Sequence, residues 1–210
     1  MSDDDITVEP IKGLPETPPD GEEILWQGRP NWRALARESL MVNWVIGYFL
    51  VLAVWQVALR ASEVPLGIAL YGGVPYLLLG LGAAGIILVI AYVQARTTVY
   101  TITTSRVVMR IGVALTITLN LPFREIGTAS LDMRKRGTGT IVMETLGKAR
   151  ISYLVLWPHA RPLKFNPAQP ALRCIDRADR VAALLSEAAD ARLSVPQVTK
   201  DPIGQAVAAE

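Results

Sequence analysis

The chain has one cysteine, Cys174, and one histidine, His159, in 210 residues. A lone cysteine excludes an intrachain disulfide framework. A lone imidazole excludes catalytic constellations built on two histidines and most resident metal centres. Charge is scarce as well, at 19% of residues against about a quarter in an ordinary soluble domain. No glycine-rich loop follows an expected strand and opens a helix, and Gly137-Thr-Gly139 lacks the length and the lysine of a phosphate cradle. No serine has a histidine partner in a membrane setting. The basic residues lack an interleaved aromatic platform, which speaks against nucleic acid. The composition points away from an enzyme, and no cofactor or metal is expected.

What the chain has is apolar sequence: 51% of residues are hydrophobic, the mean hydropathy is +0.32, and the excess is concentrated. Residues 39–59 carry no charge over 21 positions, enough for the ~20 residues that cross a bilayer. Trp44 and Trp55 lie towards the ends of that run, where amphipathic rings prefer the headgroup level. A second charge-free stretch covers 32 positions, 64–95. It falls short of the ~40 residues that two crossings require, yet exceeds one. Pro65, Gly67, Gly72, Gly73 and Pro75 crowd its first half, so the second crossing is placed at 75–95, with Pro75 in its first turn. Residues 60–74 are read as a connection, interfacial or re-entrant. Gly80, Gly82 and Gly85 offer close approach to another helix or face lipid. Asn43 and Gln56 are the uncharged polar residues of the first crossing; their amides can orient a hairpin or recognise a partner helix, and Gln56 can equally reach the interface.

Arg29, Arg33 and Arg37 precede the first crossing, and Arg96, Arg106 and Arg110 follow the second, whereas the connection has only Arg60. The positive-inside bias then puts both chain ends in the cytoplasm. Residues 1–23 hold eight acidic residues against Lys12 alone, with Pro10, Pro15, Pro18 and Pro19. They are expected to form a flexible leader without the features of a secretory signal. Residues 24–38 are read as an interfacial Trp/Arg segment.

From residue 97 the apolar period becomes two. Strands are expected at Val99–Thr103, Arg106–Ile111, Val113–Leu119, Glu125–Met133 and Thr140–Thr145, the last pairing with Arg150–Trp157. Asp176 is expected to cap a C-terminal helix whose stripe is Ile175, Ala178, Val181, Ala182, Leu185 and Ala189. The fold class is therefore an α+β membrane protein. A two-helix transmembrane hairpin precedes a PH-like antiparallel β-barrel at 96–193, closed by one capping helix, with an unstructured tail at 194–210.

Three features invite a functional reading. Arg134-Lys135-Arg136 stands at a strand-connecting tip, where each cation could contribute about 1 kcal/mol at an anionic lipid surface or simply be solvated. Trp26-Gln-Gly-Arg-Pro-Asn-Trp32 leads into a short helix capped by Asn31. There Trp32 and Leu35 would enter the membrane interface while Arg29, Arg33 and Arg37 meet phosphates, or the strip would dock on the head or a client. His159 is placed in a loop after the last strand and outside both crossings, so a satisfied loop histidine is expected rather than a pigment ligand.

Glu23-Ile-Leu-Trp-Gln-Gly-Arg-Pro-Asn-Trp32 before two apolar segments, followed by Tyr100-Thr-Ile-Thr-Thr-Ser-Arg106 and Gly137-Thr-Gly-Thr-Ile141, resembles the bacterial PH-domain membrane proteins. With the leader Val8-Glu-Pro-Ile-Lys-Gly-Leu-Pro-Glu-Thr-Pro-Pro19, nearly the whole chain is similar to the photosynthetic-complex assembly proteins of purple bacteria. The resemblance implies a non-catalytic assembly factor of the inner or intracytoplasmic membrane. Its implied partners are reaction-centre and core light-harvesting subunits; it transfers no binding residue. Anionic lipids are a further expected partner, and self-association stays open. The competing reading is a lipid-sensing or scaffold PH-like protein unrelated to photosynthesis. A carboxylate enzyme is the weakest, since Glu63 is the one acid between the crossings.

Overall fold

The computed structural model describes residues 13–14, 17–19, 21–113, 115–134, 137–146 and 152–194. The chain opens with β1 (Ile24–Gly28) and α1 (Trp32–Glu38). Three more helices follow: α2 (Val42–Ala61), α3 (Leu66–Tyr71) and α4 (Val74–Thr97). Segments Val42–Ala61 and Leu66–Thr97 are long and apolar enough to cross a membrane, and most of their surface faces outward. Trp44, Val51, Val54 and Trp55 of α2 and Leu78, Leu81, Ile86 and Val89 of α4 are all exposed. A buried helix of a soluble core would not leave so many large apolar groups uncovered.

The α2–α4 contact forms where glycine permits it. At Gly80 a Cβ would stand 2.7 Å from the Cβ of Phe49, so the helices touch there through backbone and ring. Gly72 and Gly73 let the end of α3 press on Arg60 and on the Ala53 carbonyl. Residues 60–74 thus include a short helix folded against α2, and Pro75 lies in the first turn of α4 as expected.

Two four-stranded antiparallel sheets make the head. The first has the order β1-β2-β3-β4, with β2 (Val99–Thr103), β3 (Arg106–Ile111) and β4 (Ile117–Pro122). The second, ordered β5-β6-β8-β7, holds β5 (Ile126–Met133), β6 (Thr138–Thr145), β7 (Ala160–Phe165) and β8 (Ala168–Asp176). The sheets share a core of Tyr100, Ile102, Met109, Phe123, Ile141, Met143, Leu172 and Ile175. The last helix, α6 (Ala178–Leu193), covers it with Ala178, Val181, Leu185 and Ala188. The expected barrel does not close. Between β4 and β5 the chain makes a 3-10 turn, Phe123–Glu125, and no ladder joins the two sheets among the described residues.

Several expectations need correction. The segment 24–38 is not a separate interfacial piece, because β1 pairs with β2, setting Gly28 opposite Tyr100. Part of the supposed flexible leader belongs to the fold: Leu14 is buried, and Glu22 pairs with Arg106 at 2.8 Å. Residues 1–12 and 195–210 lie outside the described residues. Of the strand expected at Arg150–Trp157, residues 150–151 lie outside the described residues, Tyr153–Leu156 form a helical turn, α5, and β6 pairs with β5 and β8 instead. The strand expected from Val113 starts only at Ile117, since Gly112 turns the chain with φ +115°. There a Cβ would collide with the Leu115 carbonyl, and Val113 and Leu115 stay exposed at the turn. Asp176 ends β8 rather than capping α6, and Arg177 takes the cap position in left-handed backbone at φ 52°.

Candidate membrane and partner interface

The junction between helices and head is organised by α1. Asn31 caps it: its Oδ1 accepts from the Arg33 and Ala34 amides at 3.1 and 3.3 Å, satisfying two of the free N–H groups of the first turn. The same side chain donates through Nδ2 to Asp176 at 3.1 Å, and the Asn31 amide donates to the Cys174 carbonyl at 2.7 Å. Asp176 therefore serves α1, and Arg177 holds the cap position of α6. Ala34 and Leu35 are buried against Cys174, while Ala36 packs with Val42, Ala84 and Ala91 of the long helices. Leu35 thus faces the head and not lipid, correcting the expected interfacial placement. The strip docks on the head.

On its other side α1 meets α4 through rings. Trp32 stands edge-on to Tyr92, with centroids 6.1 Å apart. Arg33 lies over Trp32 and Arg96 over Tyr92, each 5.2 Å from the ring centre, within cation–π range. Arg37 donates through Nε to the Arg33 carbonyl at 3.0 Å. Trp26 packs on the core from β1, with its ring folded over Gly28, whereas Arg29 is exposed.

The tip cations are only partly described. Arg134 pairs with Asp132 at 2.9 Å and with Glu38 at 3.5 Å, which brings the β5–β6 turn to the end of α1. Lys135 and Arg136 lie outside the described residues. Arg33, Arg37 and Arg134, with Asn43, Glu38 and Asp176, wall a cleft of about 700 Å³. Gln56 is half-buried on α2, well away from that cleft. Of the three α4 glycines only Gly80 meets α2; Gly82 and Gly85 have nothing within 4 Å.

Beneath α1 lies a buried polar cluster that sequence reasoning missed. The Tyr100 hydroxyl is 2.6 Å from His159 Nδ1, and the Thr98 hydroxyl is 3.2 Å from Nε2. The Arg173 amide donates to the Tyr100 hydroxyl at 3.4 Å, and its Nη1 donates to the Pro158 carbonyl at 3.2 Å. His159 is not in a loop after the last strand: β7 and β8 follow it, and it is almost wholly buried. Burial, reinforced by the Arg173 charge, lowers its pKa to about 3 and keeps the ring neutral. Burial raises the Tyr100 phenol far above its ordinary range. Burial, then the neighbouring Glu38 carboxylate, pushes the Cys174 thiol up to about 12. The ring held between two hydroxyls ties the α4–β2 junction to β8, and the thiol joins β8 to α1. No group of three or more potential metal ligands occurs among the described residues.

A family model described as Bacterial PH domain matches residues 40–189, which include α2 to α4 and the head from β2 onward. This chain belongs to the bacterial PH domain family. A protein of Rhodobacter capsulatus is 45% identical over 204 residues, covering 96% of this chain and 95% of the relative. It is described as "Uncharacterized 23.7 kDa protein in puhA 5'region". No solved structure matches the chain. The bacterial PH domain here holds two apolar helices and two antiparallel sheets within one matched region, and β1 and α1 complete it from outside that region.

Proposed function

We propose that this protein is a non-catalytic membrane factor that binds photosynthetic polypeptides transiently while their complexes assemble. Its two apolar helices cross the inner or intracytoplasmic membrane as a hairpin, with the head and both chain ends on the cytoplasmic side. The observation that carries the hairpin is the β1–β2 ladder: residues 24–28 and 99–103 hydrogen-bond to each other, so an even number of crossings separates them. The arginines on either side of that hairpin support the cytoplasmic placement. Support for photosynthesis comes from the leader and Trp-Gln-Gly-Arg-Pro resemblance and from the relative's description, which places it in the 5' region of puhA.

Client binding falls to surfaces that the fold leaves uncovered. The Gly82 and Gly85 side of α4 is open to a second helix, and small residues at such positions let backbones approach. A factor that must release its client works with modest affinity, set mainly through dissociation.

The test is affinity purification of the full chain from solubilised photosynthetic membranes. Reaction-centre or core-antenna polypeptides should co-elute with their near-infrared absorbance, and removing the gene should lower that absorbance in the cell. Unchanged reaction-centre levels with no co-eluting subunit would leave the family membership standing and remove the assembly role.

A further inference from the structure

Asn43 belongs to two cavities at once. On one side it closes the cleft of about 700 Å³ whose cations are Arg33, Arg37 and Arg134 and whose acids are Glu38 and Asp176. On the other it begins a groove of about 480 Å³ along α2, lined by Trp44, Gly47, Tyr48 and Val51. Positions 44, 47, 48 and 51 follow helical spacing, so the groove runs from Asn43 down one face of α2. Gly47 leaves it open, with nothing within 4 Å of where a Cβ would stand. A charged cleft and an apolar trough thus adjoin at one amide residue, which suits the two ends of an amphiphile.

The charges narrow the class. Three guanidiniums and two carboxylates line the cleft, with Asp132 pairing Arg134 from beside it, so donors for a phosphodiester and acceptors for its substituent stand side by side. Arg134 is held by Asp132 and Glu38, and Arg33 lies over Trp32 and lines the cleft. Glu38 and Asp176 can accept hydrogen bonds from the far end of a headgroup; Asp176 already takes one from Asn31. We infer that the joined cleft and groove bind one glycerophospholipid from the leaflet on the head's side. Its phosphodiester meets Arg33, Arg37 and Arg134, its terminal N–H or O–H groups meet the carboxylates, and one acyl chain lies along the α2 trough. This rests on the reading of α2 as a crossing helix and is independent of any role in photosynthesis.

The experiment is native mass spectrometry of the detergent-solubilised full chain with three lipids of identical acyl chains. Phosphatidylglycerol and phosphatidylethanolamine carry donors beyond the phosphate; phosphatidylcholine carries none. The first two should be retained about tenfold more than the third, as expected for losing a charge-assisted contact. The Arg33→Gln/Arg134→Gln double variant should lower retention of all three, which share the phosphodiester; Glu38→Gln should weaken the preference, and Gly47→Phe should lower retention of all three by filling the trough. Asn43→Leu, which touches no ion pair, should lower retention of all three and decides the question if the double variant does not fold. Equal retention of the three lipids, retention unchanged by the double variant, a preference unchanged in Glu38→Gln, or full competition by inorganic phosphate would overturn the site. A chain that stays monodisperse without detergent and carries no lipid would instead remove the crossing helices themselves.

Discussion

Trp32 of α1 stands at 84° to Tyr92 of α4, ring centroids 6.1 Å apart, with Arg33 over one ring and Arg96 over the other. Four side chains from two elements that are sixty residues apart in sequence therefore fasten the short helix to the long one. An edge-on aromatic pair of this kind contributes about 1 kcal/mol beyond its buried area. Trp32→Ala should loosen α1 from α4, and Trp32→Phe should restore most of the attachment. Limited proteolysis in the 28–41 segment reads the difference directly.

Cys174 reports on the same attachment from the other side. It is buried under Leu35, its Sγ donates to Glu38 at 3.9 Å, and its pKa is pushed up to about 12. In the folded protein at pH 8 the thiol should resist iodoacetamide, because the reactive thiolate is scarce and covered. Labelling should accelerate severalfold in Trp32→Ala and become complete in denaturant. Fast labelling of the native wild type would contradict the docked position of α1.

His159 gives the head a defined response to acid. Its folded pKa, about 3, lies below the ordinary 6.5, so the unfolded chain binds more protons between those values. The corresponding stability is fully present above pH 6.5 and is lost progressively as pH falls towards 3. Urea midpoints should therefore decline from pH 7 to pH 5. His159→Gln, which keeps a polar group between Tyr100 and Thr98, should flatten that decline while lowering stability at pH 7.

The glycines of α4 should divide into two classes. Gly80→Val forces a side chain into Phe49 and should destabilise the α2–α4 contact by about 1–3 kcal/mol, the usual cost of overpacking. Gly82→Ala and Gly85→Ala meet nothing within 4 Å and should leave thermal unfolding of the purified chain essentially unchanged. Any loss of client recovery with the latter two then reports a partner rather than the fold.

The β3–β4 turn offers a contrast within six residues. Leu115 is 83% exposed, so Leu115→Ser should change stability by less than about 0.5 kcal/mol. Gly112→Ala combines φ +115° with a collision at the Leu115 carbonyl and should be strongly destabilising by thermal melt.

The long helices were legible because two runs without a charge have few other solutions, and Pro75 fell where a first turn tolerates it. Strands β2, β3, β5 and β6 were legible from alternation. What failed depended on partners remote in sequence. Ile24–Gly28 reads as an interfacial strip until Val99–Thr103 is placed beside it, and the alternating Arg150–Trp157 segment reads as a strand until β8 takes the position next to β6. His159 was expected to be satisfied, and it is. Its partner Tyr100 lies 59 residues away, and no local pattern announces that a lone imidazole will be sealed in a core. The site followed the same rule: Asn31 as a cap was readable locally, whereas its grip on Asp176 and the approach of Arg134 to Glu38 came only with the fold.

The pairing of β1 with β2 also fixes an order of events during synthesis. Seventy residues, including both long helices, leave the ribosome between the two strands. The first strand must wait, with its edge unsatisfied, until the whole apolar passage has been delivered. Maturation of the head thereby waits on both long helices, and a nascent chain stalled inside the second has no way to build it.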